Sequence, residues 1–521
     1  MVTGRRAAGV VAAAVSLGVG EFLAAVSGIA SPVASVGDLV VDATPGPVVR
    51  RTIAWFGTAQ KPLLLTGVVV VTLLLGGSLG RRTSPVAPAA FLAAGLVGGL
   101  AVGRTGSPVG GPMVGVSAGV TGIAVLWTGR RLLATSPGPG EEVVDAFDVL
   151  EDPRIRTATR RGFLGYAAGM SMAAGSLAVG SRAMVDRRGD RLRDDVALPS
   201  TRRTVPTGDR PPTPPTTTEG PFGPPDGLTP WITSNDRFYR IDTALVVPRV
   251  DPGGWSLTVD GMVDRPLTFT LDDLLAMDLV DAAVTLNCVS NDVGGHLVGN
   301  AVWTGVPLLD LLGRAGISSD AEQVMGRSVD GFNAGFPLHV LDADRTALVA
   351  VGMNGEPLPF RHGFPARLVV AGIYGYVSAV KWLDRISLTT MDEDGYWIPR
   401  GWAKEAPIKI ASRIDVPLRS QLPAGLHAVA GVAWAPVAGV EAVELRVDDG
   451  PWTECRLQRG EAPGRTGDSW VQWVTEWDAQ PGLRWLRVRA RDREGRLQPE
   501  GPKAIAPDGA EGWHARRVLV A

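Results

Sequence analysis

Among the 521 residues of this chain, Cys288 is the one whose type and setting most directly suggest chemistry. It lies in Thr285-Leu286-Asn287-Cys288-Val289-Ser290-Asn291, a stretch rich in turn formers that runs on to Trp303-Thr304-Gly305. The only other cysteine, Cys455, is far along the chain, and a secreted disulfide framework would show an even set of spaced cysteines. A thiolate is a soft ligand that suits soft or high-valent metals. The competing reading is a buried structural thiol, the ordinary fate of a lone cysteine. No cluster of His and Cys has zinc spacing. No G-x-G-x-x-G follows a strand and no G-x-x-x-x-G-K-[ST] is present, which excludes dinucleotide and P-loop chemistry.

The elements that must position such a residue divide the chain. The first 180 residues are rich in Ala, Val, Leu and Gly, and the rest has the composition of a water-soluble protein. Apolar segments at Ala7–Ala30, Pro62–Leu79, Val86–Val102, Met113–Trp127 and Gly162–Gly180 read as five weakly hydrophobic spanning helices. Their many glycines let neighbouring helices approach closely. With a cytoplasmic N-terminus, ten basic residues (Arg5, Arg6, Arg81, Arg82, Arg130, Arg131, Arg154, Arg156, Arg160, Arg161) lie inside. Four (Arg50, Arg51, Lys61, Arg104) then lie outside, and the positive-inside rule favours this orientation. An odd number of spans places everything after Gly180 on the extracytoplasmic side. Thr159-Arg160-Arg161-Gly162-Phe163-Leu164 before the fifth span resembles an internal twin-arginine export signal. Such a signal suits a domain that folds around a cofactor before it crosses.

Residues 181–230 read as a linker, charged at Arg187–Asp195 and Pro/Thr-rich from Pro211 to Thr218. Residues 231–410 mix short strands such as Trp255–Gly261 with short helices at Leu271–Met277, capped by Thr270, and Leu308–Ala315. That mixture predicts an α+β domain. In residues 411–521, alternating runs at Ala428–Trp434, Val440–Asp448, Val471–Trp477 and Leu483–Arg491 predict an antiparallel β-sandwich of immunoglobulin type. The net charge of -2, from 51 basic and 53 acidic side chains with no basic block, argues against a nucleic-acid partner.

From Ile232 to the C-terminus, seven motifs in order resemble the sulfite oxidase family of molybdopterin-dependent oxidoreductases. They are Phe238-Tyr239-Arg240; Leu286-Asn287-Cys288; Gly299 to Gly305; Asn354-Gly355-Glu356-Pro357-Leu358; His362 to Arg367; Tyr374-Gly375-Tyr376 with Lys381-Trp382-Leu383; and Ala510 to His514. The resemblance implies a molybdenum-molybdopterin cofactor with Cys288 as thiolate ligand of the metal, its other ligands being dithiolene sulfurs and oxo groups. It places Tyr239, Arg240, His362, Arg367 and Lys381 at cofactor-binding positions, where arginine's planar fork suits a phosphate. Arg240 would also hold an anionic substrate, and Tyr396 in Gly395-Tyr396-Trp397 matches an active-site tyrosine, with core packing as the competing reading.

Two departures bear on substrate. No paired arginines follow Cys288, and Ile241-Asp242 stands where animal and plant enzymes have Asn-His. Fewer cations and an added carboxylate weaken dianion binding. The expectation is therefore a membrane-anchored oxidoreductase that transfers an oxygen atom to or from a small oxyanion or sulfur-containing substrate. A sulfoxide or N-oxide reductase is the first alternative, and a cofactor-free extracytoplasmic binding module the second. The chain has no C-x-x-C-H and no recognisable haem domain, so electrons pass to a separate cytochrome or quinone-linked partner. The resemblance of the last domain implies a homodimer, and membrane lipid surrounds the anchor.

Overall fold

The computed structural model describes residues 2–56, 59–81, 86–104, 109–134, 153–200, 203–204, 225–341, 345–460, 465 and 467–521. These form two units, one of Met1–Arg191 with Ala244–Arg249, the other of Leu192–Thr243 with Val250–Ala521.

In the first unit, five helices are long and apolar enough to cross a membrane: Arg5–Ser27, Gln60–Gly80, Val86–Gly103, Gly110–Leu132 and Gly162–Asp194. Glycine sets how closely they approach. A Cβ on Gly9 would sit 2.1 Å from the Gly76 carbonyl oxygen, and one on Gly95 would sit 2.2 Å from that of Gly115. Glu21, the single acid in the first span, accepts hydrogen bonds from Ser31 Oγ at 2.9 Å and the Val33 amide at 3.1 Å. It thereby helps cap a short helix, Pro32–Asp42, whose Ser31 N-cap accepts from Ala34 N and whose Pro32 opens the first turn. A second short helix, Gly46–Phe56, follows.

The helix begun at Pro153 runs on to Asp194, through the first part of the stretch read from sequence as linker. Arg, Asp and Met in this stretch are compatible with helix, and no proline interrupts them before Pro199. Asp186 and Asp190, one turn apart, both pair with Arg249, at 2.9 and 2.7 Å. The Pro/Thr run 211–218 lies outside the described residues.

The second unit opens with a domain of two sheets. One has the order Arg203–Thr204, Val280–Asn287, Val298–Pro307, Ala347–Met353, Arg367–Val370, with Glu356–Pro357 paired to the fourth strand. The other has the order Leu267–Thr270, Ser256–Gly261, Leu383–Thr389, Gln323–Ser328, Asn333–Pro337. Their shared core holds Leu257, Val259, Leu308, Val324, Phe336, Leu368 and Ile386, each at most 1% exposed. Helix Leu271–Leu275 carries the Thr270 cap, reciprocated by Asp273 as a capping box. Leu308–Ala315 buries Leu308, Leu311, Leu312 and Ala315, the i, i+3, i+4, i+7 face of an amphipathic helix.

The last hundred residues form two sheets over one core, antiparallel except where Gln421–Leu422 runs parallel to His514–Val520. A four-stranded sheet includes Ala411–Val416, Gly425–Trp434 and Val471–Ala479. A five-stranded sheet includes Val440–Val447, Gly482–Asp492 and His514–Val520. Val429, Trp473, Leu486 and Val488 from both sheets meet at 0% exposure, as alternation with period two requires. This sandwich is fastened to the strand that ends at Cys288. Thr285 N donates to Asp468 O at 2.9 Å, Ser469 Oγ to Ala283 O at 2.9 Å, and Trp470 N to Thr285 Oγ1 at 2.8 Å. Trp231 and Trp470 each give their indole N–H to the other's carbonyl, at 3.0 and 2.8 Å.

Candidate active site

Strand Val280–Asn287 pairs in register with Val298–Pro307 up to Asn287↔Val298, and the chain leaves the ladder at Cys288. The Cys288 amide donates to Leu297 O at 2.9 Å, and Asn291 Oδ1 accepts from Leu297 N at 2.8 Å, so the loop closes on itself. Its tip needs glycine. Gly294 has φ +77°, and a Cβ there would lie 2.4 Å from the His514 ring. Arg413 Nη1 donates to Gly295 O at 2.8 Å and ties the same tip to the sandwich. Cys288 is 8% exposed and is not in a disulfide. Burial pushes its thiol up, against the opposing pull of hydrogen bonds from Ser290 and the charge of Lys381.

Three basic side chains converge on this region. Arg367 opens a buried strand and lies with its guanidinium carbon 4.8 Å from the centroid of the Trp303 ring, which is itself fully buried. Its Nη1 donates to His362 O at 3.0 Å, and among the described residues no carboxylate lies within ion-pair distance of it. Burial lowers its pKa to about 10, so it keeps its charge at neutral pH. Lys381 Nζ donates to Asp242 Oδ2 at 3.0 Å and to Arg361 O at 3.3 Å. Burial lowers it to about 8, with Asp242 pulling the other way. His362 is fully buried, and Nε2 donates to Asn235 O at 2.7 Å because a carbonyl can only accept. That fixes Nδ1 as a bare lone pair, buried and without a partner among the described residues. Burial first, then the charges of Lys381, Arg367 and Arg361, depress His362 to about 3 and keep it neutral.

Cys288, Arg367 and Lys381 border one open-sided cleft. Cys288, Arg367, Lys381 and Tyr239 are on its wall, together with Asp242, Asp330, Tyr376, Trp382 and Trp397. Asp330 sits in an Asp-Gly turn, where its Oδ1 accepts from Phe332 N at 3.2 Å. Burial raises its carboxyl above the ordinary range, and neighbouring Asp242 adds to this. Tyr376 donates its hydroxyl to Ala403 O at 2.5 Å, and burial pushes its pKa up.

The structure thus brings together four of the sequence-derived candidates and separates three. His362 stands behind the wall, its ring 5.7 Å from that of Phe238. Arg240 is not among the wall residues; it turns to Asp242, with Nε 2.9 Å from Oδ2. Tyr396 is not on the wall either. Its ring packs at 5.7 Å from Phe332 and 5.1 Å from Trp397, with the Arg400 guanidinium 3.7 Å over its face. The aromatic residue that reaches the cleft from this segment is its neighbour Trp397. Asp330 and Tyr376 were missed as site residues. The Asp-Gly turn signal was present for Asp330, whereas nothing in the sequence tells which side of Tyr374-Gly375-Tyr376 faces inward.

The residues present fit a phosphate-bearing molybdopterin group. A buried guanidinium without a carboxylate needs an anion, a buried imidazole lone pair needs a donor, and a thiol on the same wall offers one metal ligand. Among the described residues no group of three His, Cys, Asp or Glu could hold a metal ion unaided. A metal here would rest on one thiolate and on ligands of its own cofactor. Residues 244–397 match the oxidoreductase molybdopterin binding domain. The mitochondrial sulfite oxidase of Mus musculus is 29% identical over 343 residues, 57% of this chain and 61% of that protein. The nitrate reductase [NADH] 2 of Arabidopsis thaliana is 28% identical over 319 residues, 49% of this chain and 35% of that one. The chain therefore spans less than two thirds of the length of these relatives. The sulfane dehydrogenase SoxCD of Paracoccus pantotrophus shares 22% identity over 58% of this chain and 88% of its own, with a TM-score of 0.49. Its thiol, its buried cation and the match over residues 244–397 make this chain similar to the molybdopterin-dependent oxidoreductases of the sulfite oxidase type.

Proposed function

We propose that this protein is a membrane-anchored enzyme that moves an oxygen atom to or from a small substrate, exchanging electrons with a separate redox partner. One observation carries the reading: the buried Cys288 and the carboxylate-free Arg367 share one cleft. Cys288 would ligate the molybdenum. Arg367 and Lys381 would hold the phosphate, and the His362 Nδ1 lone pair would accept from an N–H of the pterin ring. The bound cofactor supplies the two-electron oxo chemistry, and the protein supplies orientation and electrostatics. Trp382 and Trp397 limit water at the cleft, and Tyr239 offers a hydroxyl on its wall. Arg240 acts through Asp242, which it holds in place. Tyr396 serves as packing behind Trp397.

The remaining parts follow from the same reading. The twin-arginine pair and the ten-to-four bias of basic residues support an extracytoplasmic catalytic domain that folds around its cofactor before export. The two-sheet sandwich, of immunoglobulin type, would brace the Cys288 loop through Arg413 and His514 and could support a dimer. Elemental analysis of protein purified from membranes of a cofactor-producing host tests the core of this. Near-stoichiometric molybdenum in the wild type, lost in folded Cys288→Ser, is the expected result. Well-folded wild-type protein without molybdenum would overturn it and leave a tethered binding module.

A further inference from the structure

The segment that leads to the buried His362 imidazole is short of backbone anchors. Pro357 and Pro359 have no amide N–H, and the hairpin turn before them, Asn354-Gly355, has both residues at positive φ, +52° and +83°. Side chains supply what the backbone lacks. Asn354 Nδ2 donates to Thr233 O at 3.0 Å and to Asn235 Oδ1 at 2.8 Å. Asn235 Nδ2 donates in turn to Glu356 Oε1, and Asn235 O accepts from His362 Nε2 at 2.7 Å. Further support comes from far along the sequence. Arg193 Nη2 donates to Pro357 O at 2.8 Å and pairs with Glu356 Oε2 at 3.0 Å, while its Nε reaches Leu358 O at 3.1 Å. One guanidinium thus closes on two carbonyls and a carboxylate, with its side chain only 17% exposed.

Arg193 stands on the last turn of helix Pro153–Asp194, whose stretch Gly162–Asp194 is long and apolar enough to cross a membrane. The residues after the helix belong to the same support. Val196 and Leu198 pack against the core of the two-sheet domain, and a Cβ on Gly352 would sit 2.7 Å from Leu198 Cδ1. Arg203–Thr204 then pairs in parallel with the strand that leads to Cys288.

We infer that Arg193 is a positioning residue for the cofactor site. Through Glu356 and Asn235 it fixes the ring of His362, so that holding a pterin depends on the last turn of this helix being seated. This rests on the cofactor reading above and adds a requirement to it: the helix that anchors the protein also completes the support of a group facing the pterin. An exposed ion pair would contribute little, but removing this fork leaves carbonyls of a proline-bound segment without their donor.

The test is hydrogen exchange on the detergent-solubilised full-length protein, read by mass spectrometry at residues 354–362, with molybdenum per chain measured on the same samples. The amides of Leu358 and His362 are bonded to Val351 O and Pro359 O. In Arg193→Ala they should exchange at least about tenfold faster, the loss expected for a charge-assisted hydrogen bond. Molybdenum per chain should fall several-fold, and the sandwich strand Val471–Ala479 should keep its protection. Arg193→Lys keeps the charge beside Glu356 but not the planar fork. It should show the same local change in smaller measure, and it keeps the inference testable if the alanine variant is poorly made. Alanine at the exposed Arg191 should alter neither quantity. Unchanged exchange at 354–362, acceleration shared equally by the sandwich, or local acceleration with full molybdenum would overturn the inference. A wild type without molybdenum would overturn the cofactor reading instead, and the exchange pattern would still decide whether Arg193 positions His362.

Discussion

Asp468 gives a prediction whose size can be worked out. It is fully buried where the sandwich meets the strand leading to Cys288. Its Oδ2 accepts from Thr346 N at 3.3 Å, and its Oδ1 has no partner among the described residues. Burial raises its pKa from 3.8 to about 6, although hydrogen bonds from Thr346 and the charges of Arg345 and Arg465 pull it down. A folded-state pKa above the unfolded value means the native state binds the proton more tightly. The associated stability is fully present below about pH 4 and is lost as pH rises through 6. A difference of about two pKa units corresponds to about 3 kcal/mol at neutral pH. Asp468→Asn removes this term. At pH 7.5 the variant should exceed the wild type by up to about 3 kcal/mol, or roughly 6–12 °C in Tm, and the two should converge near pH 4. Tryptophan-monitored melting of the full-length protein in detergent across pH 4–8 measures this. A wild-type deficit that is independent of pH, or that grows toward acid, would refute the argument.

Two further perturbations act on the same support of the Cys288 loop. His514, whose Nδ1 accepts from Ile414 N at 2.9 Å, is lowered by burial from 6.5 to about 4. Here the unfolded chain binds the proton first, so up to about 3 kcal/mol is lost as pH falls from 6.5 through 4; His514→Gln should flatten that acid limb in the same melts. Gly294→Ala places a Cβ 2.4 Å from the His514 ring at a φ of +77°. It should cost about 1–3 kcal/mol and lower molybdenum per chain, measured by melting and elemental analysis, whereas alanine at exposed Gly313, inside helix Leu308–Ala315 with nothing within 4 Å, should raise stability by about 0.5–1 kcal/mol and leave molybdenum unchanged.

What could be read from sequence follows from how local each determinant is. Thr270 announces its helix because a cap and its partner are three residues apart. The sandwich strands show period two because one face of each is buried. Helices Pro32–Asp42 and Gly46–Phe56 passed unseen because neither is long enough for a span and apolar residues surround them. The continuation of the last helix to Asp194 was hidden for a different reason. A run of charges reads as solvated linker, and only the distant Arg249 reveals that Asp186 and Asp190 share a helical face.

At the site, residue type was legible and side-chain direction was not. Cys288, Arg367 and Lys381 sit at the ends of regular strands or in turns beside them, where alternation and ladder pairing fix what points inward. Phe238 to Thr243 has neither helix nor strand period, so nothing in Tyr239-Arg240-Ile241-Asp242 says which side chains face the cleft. The structure puts Tyr239, Ile241, Asp242 and Thr243 on the wall, and Arg240 is not among its residues. The position that looked from sequence like a substrate-binding cation therefore presents its carboxylate neighbour instead. The charge pattern of the cleft, with a thiol, a buried arginine and this carboxylate on one wall, therefore follows from side-chain directions that no sequence period announces.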